Sequence, residues 1–287
     1  MKSIWQDIKL VFQQSDNGLM KIIIINVVIF VLLNVAKVIF LIADKGTIFD
    51  FIYENLTLSS QPKLVLSKPW TLMSYFFVHM ELFHLLFNMM FLFWFGRILT
   101  DYIGHKKIVQ LFFLGGLAGA AAYLLLLNSF SYFIAKGPSL LNGASAGVFA
   151  VVIAAAYLRP KYEVYLFIFG AVQIKYIATF YVIWSFIETV GSNAGGNIAH
   201  LGGAIMGFLF AFNFNRTKKF LIKKDSKIYS YAQVVHKKTN EILDLNDHSD
   251  IQEDELNQIL DKISKSGYDS LSKYEKRRLF KASQKND

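Results

Sequence analysis

The sequence contains no cysteine and only four prolines in 287 residues. Without cysteine there is no disulfide framework and no thiolate metal site. With so little proline it is no extended, proline-rich low-complexity chain. Charge is also scarce. Asp, Glu, Lys and Arg make up 18% of the chain, hydrophobic residues make up 54%, and the mean hydropathy is +0.38. A soluble domain carries about 25% charged residues, so this composition excludes an ordinary soluble enzyme and a disordered chain. What is abundant is phenylalanine, 27 residues, and long apolar runs.

The charges are unevenly spread. Residues 216–287 hold 28 of the 51 charged residues. This divides the chain into an apolar part and a polar tail. An apolar helix crosses a bilayer in roughly 20 residues. Six segments approach that length, near 20–43, 72–96, 108–127, 143–158, 174–190 and 197–215. The first reads as an uncleaved anchor. The fourth is short, so it has to be surrounded by protein, because exposed polar backbone in lipid is costly. The expected fold is an all-α membrane protein, with six transmembrane helices and a small soluble helical tail. The expected segments are an amphipathic N-terminal stretch over 1–19, the membrane domain over 20–215, a linker over 216–252 and a helical hairpin over 253–287.

A net charge of +9 would suggest nucleic acid in a soluble protein. Here the position of the charges gives another reading. One set of span flanks, beginning with the N-terminus, holds 14 Lys and Arg, and the other set holds four. Cytoplasmic flanks carry the excess, so both termini are expected in the cytoplasm, with no nucleic-acid partner. The near-terminal residues Ile4, Trp5, Ile8, Val11 and Phe12 fit one helix face, as in a helix lying on a lipid bilayer surface or packed on the bundle.

Polar residues inside spans are the functional candidates. They are His79, Glu81, His84, Asn88, Ser145, Glu188 and His200, all toward the outer half. A serine and a histidine at matching depth supply a nucleophile and its general base. The helices carrying them must pack closely, and the spacing allows it. Ala146, Ala150 and Ala154 recur every four residues on one span, and Gly203, Gly207 and Ala211 do so on another. A tetrahedral intermediate needs donors, and His84, Asn88 and the Ser145 N–H are available. Gly143 permits a tight turn before the serine. No acidic residue is placed to orient His200, so a dyad is expected rather than a triad. The spacing of His79, Glu81 and His84 is not that of a zinc helix, and no metal or cofactor is expected.

Taken together, these residues resemble the rhomboid family of intramembrane serine proteases. The resemblance covers residues 60–212. It lies in Pro69-Trp70, then His79-x4-His84-x3-Asn88, then Gly143-Ala144-Ser145, then Ala199-His200-x2-Gly203-x3-Gly207. It implies a six-helix bundle with a water-filled cavity open to the outside. It also implies Ser145 as nucleophile, His200 as general base, and His84 and Asn88 at the oxyanion. Phe149 would lie under the His200 ring, residues 44–69 would form the first outer loop, and the fifth span would move aside for substrate. The implied substrates are single-span membrane proteins. The family often has Trp-Arg where Trp70-Thr71 stands, and Gly where Ala146 follows the serine. Neither change touches the dyad.

In the tail, Leu256, Ile259, Leu260 and Ile263 share a helix face. Gly267 reads as a stop, and Ser272 with Glu275 as a capping box opening a second helix. The tail resembles C-terminal appendages of Bacteroidetes-type rhomboids, which implies a bacterial inner membrane and names no partner. Two rival readings are a catalytically silent rhomboid-like binder of membrane clients and a small transporter or channel. The transporter needs a polar path through the inner half of the spans, and that half is apolar.

Overall fold

The computed structural model describes residues 4–14, 16–166, 170–217 and 253–284. The chain forms two units, Met1–Lys219 and Phe220–Asp287. Most of the expected linker, residues 218–252, lies outside the described residues.

In the first unit a short helix, α1 (Ile4–Gln13), precedes α2 (Gly18–Ile42). Helix α2 is largely apolar, with Lys21, Asn26, Asn34 and Lys37 as its polar residues. Only Leu19, Ile22, Asn26 and Leu33 are buried, while Val28, Val31, Leu32 and Val35 face outward. A helix with apolar residues on its exposed face belongs in lipid. The connecting region that follows is structured, with α3 (Gly46–Leu56), α4 (Pro62–Ser67) and α5 (Thr71–Ser74). Side chains tie it together. Trp70 Nε1 donates to the Asn55 carbonyl at 2.8 Å, Thr71 Oγ1 to Lys68 O at 2.7 Å, and Ser74 Oγ to Leu56 O at 2.7 Å. Thr71, standing where the family often has arginine, is thus a buried anchor of the loop.

The second expected span, 72–96, is not one helix. A 3-10 turn, Tyr75–Phe77, follows α5, the chain runs extended at Val78 and Glu81, and α6 spans Leu82–Ile103. The apolar pattern continues through this break because Tyr75 and Phe76 are buried. Their backbone is engaged elsewhere: Tyr75 O accepts the Gly143 N–H at 2.8 Å. Gly104, at φ +82°, alone connects α6 to α7 (His105–Ser129). After a four-residue helix, α8 (Ser131–Ile134), come α9 (Ser145–Leu158), α10 (Ile174–Ile187) and α11 (Ala194–Thr217).

Among the described residues, α2, α6, α7 and α11 are long and apolar enough to cross a membrane. Helices α9 and α10 have 14 residues each, about 21 Å against a hydrocarbon core of about 30 Å. Nine residues of α9 are buried, so protein rather than lipid surrounds it.

Two small antiparallel ladders interrupt the all-helical expectation. Strands β3 (Glu163–Leu166) and β4 (Gly170–Gln173) form a hairpin between α9 and α10. Strands β1 (Leu58–Ser59) and β2 (Leu140–Leu141) join the region between α2 and α6 to the segment just before α9. The second join is extended by Ser60 N–H to Ser139 O at 2.9 Å and by Asn128 Nδ2 to Ser60 O at 2.8 Å.

The second unit contains α12 (Glu253–Ser266) and α13 (Lys273–Gln284). Gly267, at φ +77°, ends the first. Ser272 and Glu275 cap the second reciprocally: Glu275 N–H donates to Ser272 Oγ at 3.2 Å and Ser272 N–H to Glu275 Oε2 at 2.6 Å. The hairpin buries Ile259, Leu271 and Arg278, with Arg278 Nη2 on Glu255 Oε2 at 2.6 Å.

Candidate active site

Ser145 opens α9, and His200 lies within the first two turns of α11. His200 Nε2 is 2.8 Å from Ser145 Oγ. Small residues make that distance possible. A Cβ added at Gly203 would overlap the Ala146 carbonyl oxygen, and one at Gly207 would overlap the Ala150 carbonyl oxygen. The two backbones therefore touch where any side chain would separate them. A second set of glycines, on α7, presses from the other side. A Cβ at Gly119 of α7 would lie 2.5 Å from Ala146 Cβ and 2.8 Å from the Ala199 carbonyl. The string Gly115-Gly116-x-x-Gly119 was its visible signal.

The His200 ring is fixed on three sides. Phe149, one turn after the serine, stacks on it with centroids 4.3 Å apart and planes 10° apart. Tyr181 of α10 meets Phe149 edge-on at 6.1 Å. Ser185 Oγ, also from α10, lies 3.2 Å from His200 Nδ1. The partner of that nitrogen is a hydroxyl and not the carboxylate of a triad. The signal would have been a hydroxyl inside an apolar helix.

The backbone before the serine is held by groups distant in sequence. Gly143 adopts φ +107°, open to glycine and strained for other residues. A Cβ there would also fall 2.7 Å from His84 Cε1 and 2.8 Å from His84 Nε2, so the turn lies against the imidazole. The Ala144 N–H donates to His79 Nε2 at 3.2 Å. His79, fully buried, therefore supports the loop in front of Ser145. Its ring meets His84 edge-on, with centroids 4.9 Å apart.

A cavity of about 640 Å³ opens beside the pair, with Glu81, His84, Asn88, Ser145, Phe149 and His200 among its lining. His84 Nδ1 faces Glu81 Oε2 at 3.6 Å. Asn88 Nδ2 donates one hydrogen bond to the His84 carbonyl at 2.8 Å; its amide has a second hydrogen to offer. Ser145 is the first residue of its helix, and an N–H at that position has no intrahelical acceptor. Of the sequence candidates, Glu188 is not brought to the cavity; it lies in a 3-10 turn at the end of α10, where its carbonyl accepts from Asn197 Nδ2 at 3.2 Å. Among the described residues, no three His, Asp or Glu side chains gather as metal ligands.

This arrangement can deprotonate a hydroxyl and present donors beside it. Residues 66–217 match the rhomboid domain family. The chain belongs to the rhomboid family. The matched rhomboid domain contains both Ser145 and His200, and the chain is a multi-pass membrane protein. Over 149 residues this rhomboid is 30% identical to Rhomboid protein 1, mitochondrial, of Saccharomyces cerevisiae, covering 49% of this chain and 40% of that protein. Over 147 residues it is 27% identical to RHOMBOID-like protein 12, mitochondrial, of Arabidopsis thaliana, covering 47% and 43%. The chain thus spans less than half the length of the curated relatives it matches. Residues 245–285, including the hairpin, match a separate family of unknown function.

Proposed function

We propose that this rhomboid is an intramembrane serine endopeptidase that cleaves transmembrane segments of single-span membrane proteins. The observation that carries the reading is the 2.8 Å contact between Ser145 Oγ and His200 Nε2 at the wall of a 640 Å³ cavity. Ser145 attacks the scissile carbonyl while His200 takes the hydroxyl proton. The oxyanion is received by the Ser145 N–H, His84 and Asn88. His200 then protonates the leaving amine, and water hydrolyses the acyl-enzyme with His200 again as base. Every step uses side chains and backbone of this chain.

The distribution of Lys and Arg supports six membrane crossings with both termini in the cytoplasm. In that orientation Ser145 lies toward the outer face, at the recessed end of the short helix α9. The cytoplasmic membrane of a bacterium is the setting that the tail resemblance supports. Water reaches the pair from the outside through the cavity, and substrate comes sideways from the bilayer.

The test is cleavage of a reporter transmembrane substrate, with fluorophosphonate labelling alongside. Ser145→Ala and His200→Ala should each abolish both signals. Cleavage that survives either change removes the proposed mechanism. Equal capture of a membrane client by wild type and Ser145→Ala, with cleavage by neither, would establish a silent binder instead.

A further inference from the structure

On the protease reading above, we infer that Ser185 of α10 is a positioning residue that holds His200 in its reactive tautomer. A neutral imidazole carries one proton. For Nε2 to accept the Ser145 hydroxyl proton, the ring's own proton must be on Nδ1. A proton on Nδ1, beside the buried Ser185, needs an acceptor. Ser185 Oγ is 3.2 Å from Nδ1, opposite the 2.8 Å contact at Nε2. Ser185 is 2% exposed, so bulk water does not compete for that place. Among the described residues, the ring's hydrogen-bond partners are these two serines.

The full cycle favours one direction for this hydrogen bond. Once His200 has taken the Ser145 proton, both ring nitrogens carry hydrogen. Nε2–H then faces the reacting atoms, and Nδ1–H requires an acceptor. A Ser185 hydroxyl that already accepts from Nδ1–H serves both states unchanged. The opposite direction, Ser185 donating to Nδ1, would put the proton on Nε2 and leave Ser145 without a base. The neighbouring contacts restrict the ring to the orientation this bond needs. Phe149 holds its plane, and Tyr181, one turn before Ser185, backs Phe149. Helix α10 therefore acts on the base directly through the Ser185 hydroxyl and indirectly through Tyr181, whose edge backs Phe149. The hydroxyl performs the orienting task that a third, acidic residue would perform in a triad.

The experiment uses the full chain in micelles with ¹⁵N-labelled histidine, and the His200 signals are assigned by their loss in His200→Gln. In wild type, His200 should be the Nδ1–H tautomer. Ser185→Ala should give a tautomer mixture and lower kcat about tenfold, the effect of one hydrogen bond to a group that becomes charged. KM should change less than twofold. Ser185→Thr, which keeps the hydroxyl, should restore the single tautomer. An unchanged tautomer in Ser185→Ala, or an Nε2–H tautomer in wild type, overturns the role of Ser185. The tautomer is read without substrate, so the two ideas fail separately. A Ser185-dependent tautomer with no cleavage by wild type would sink the protease reading alone. Ser145-dependent cleavage with an unchanged tautomer would sink the positioning role alone.

Discussion

The membrane unit and the tail hairpin are both helical, yet they are held together by opposite kinds of residue. At the centre of the membrane unit, α9 is clasped by glycines of α7 and α11 that lie against its backbone. In the hairpin, α12 and α13 are joined by charge, Arg278 on Glu255 and Lys262 on Glu275, and α13 opens on a reciprocal cap at Ser272. The difference follows from solvent. Lipid is as apolar as leucine, so burying large apolar side chains in the bilayer yields little, and close van der Waals approach decides association. Water rewards apolar burial, but about 30 residues have little to bury. Caps and ion pairs then carry more of the stability.

Enlarging a side chain at the clasp should have the largest effect. Gly203→Val would push its Cβ into the Ala146 carbonyl, which has no free end to move aside. It should cut cleavage roughly 100-fold or more by displacing His200 from Ser145. Near-normal cleavage by a folded Gly203→Val chain would mean that the helices can separate without losing the site. In the hairpin, Arg278→Ala should cost about 1–2 kcal/mol, moderated because Glu255 keeps some contact with water. Hydrogen exchange of residues 253–284 in the full chain reads this loss. The unit should loosen without altering cleavage by the membrane domain.

Acid should act on the hairpin by a separate route. The Lys262 ammonium and the Ser272 N–H hold the Glu275 carboxyl down, from 4.5 to about 2. A depressed carboxyl stabilises the fold above its unfolded value, and this contribution is lost as pH falls toward the folded one. Protection of α13 should therefore hold down to about pH 4.5 and decline between there and about 2. Glu275→Gln should remove that dependence. The smallest effect is expected on α2, where Leu32 is 62% exposed and faces the bilayer. Leu32→Ala should change thermal stability by no more than about 0.5 kcal/mol. A larger loss would mean that this face is covered by something other than lipid.

Much of the site could be read from spacing. Four-residue repeats at Ala146, Ala150, Gly203 and Gly207 place two helices in contact, and polar residues in apolar spans are few enough to enumerate. Rotation about each helix axis was harder to read. Helix α10 is apolar on nearly every side, so periodicity does not say that Ser185 turns inward. The contact from His79 to Ala144 joins positions 65 apart and leaves no local pattern. The break at residues 78–81 was hidden because buried Tyr75 and Phe76 continue the apolar run, although their backbone follows no long helix. Two-residue strands such as Leu58–Ser59 are too short for alternation to register. In the tail, by contrast, Gly267, Ser272 and Glu275 mark their helix ends by local chemistry, and the hairpin follows from them.

The shortness of α9 has a consequence for the order of biosynthesis. Fourteen residues are too few to span a bilayer unaided, and the neighbour that completes their packing, α11, is translated later. The ribosome delivers Ser145 first and its hydrogen-bonded partner His200 55 positions afterwards. Until α11 has been inserted, the serine has neither its histidine partner nor a complete wall beside it. On the proposed protease reading, the nascent chain passes most of its assembly chemically silent among the other membrane proteins being made, and reactivity begins only when the clasp closes.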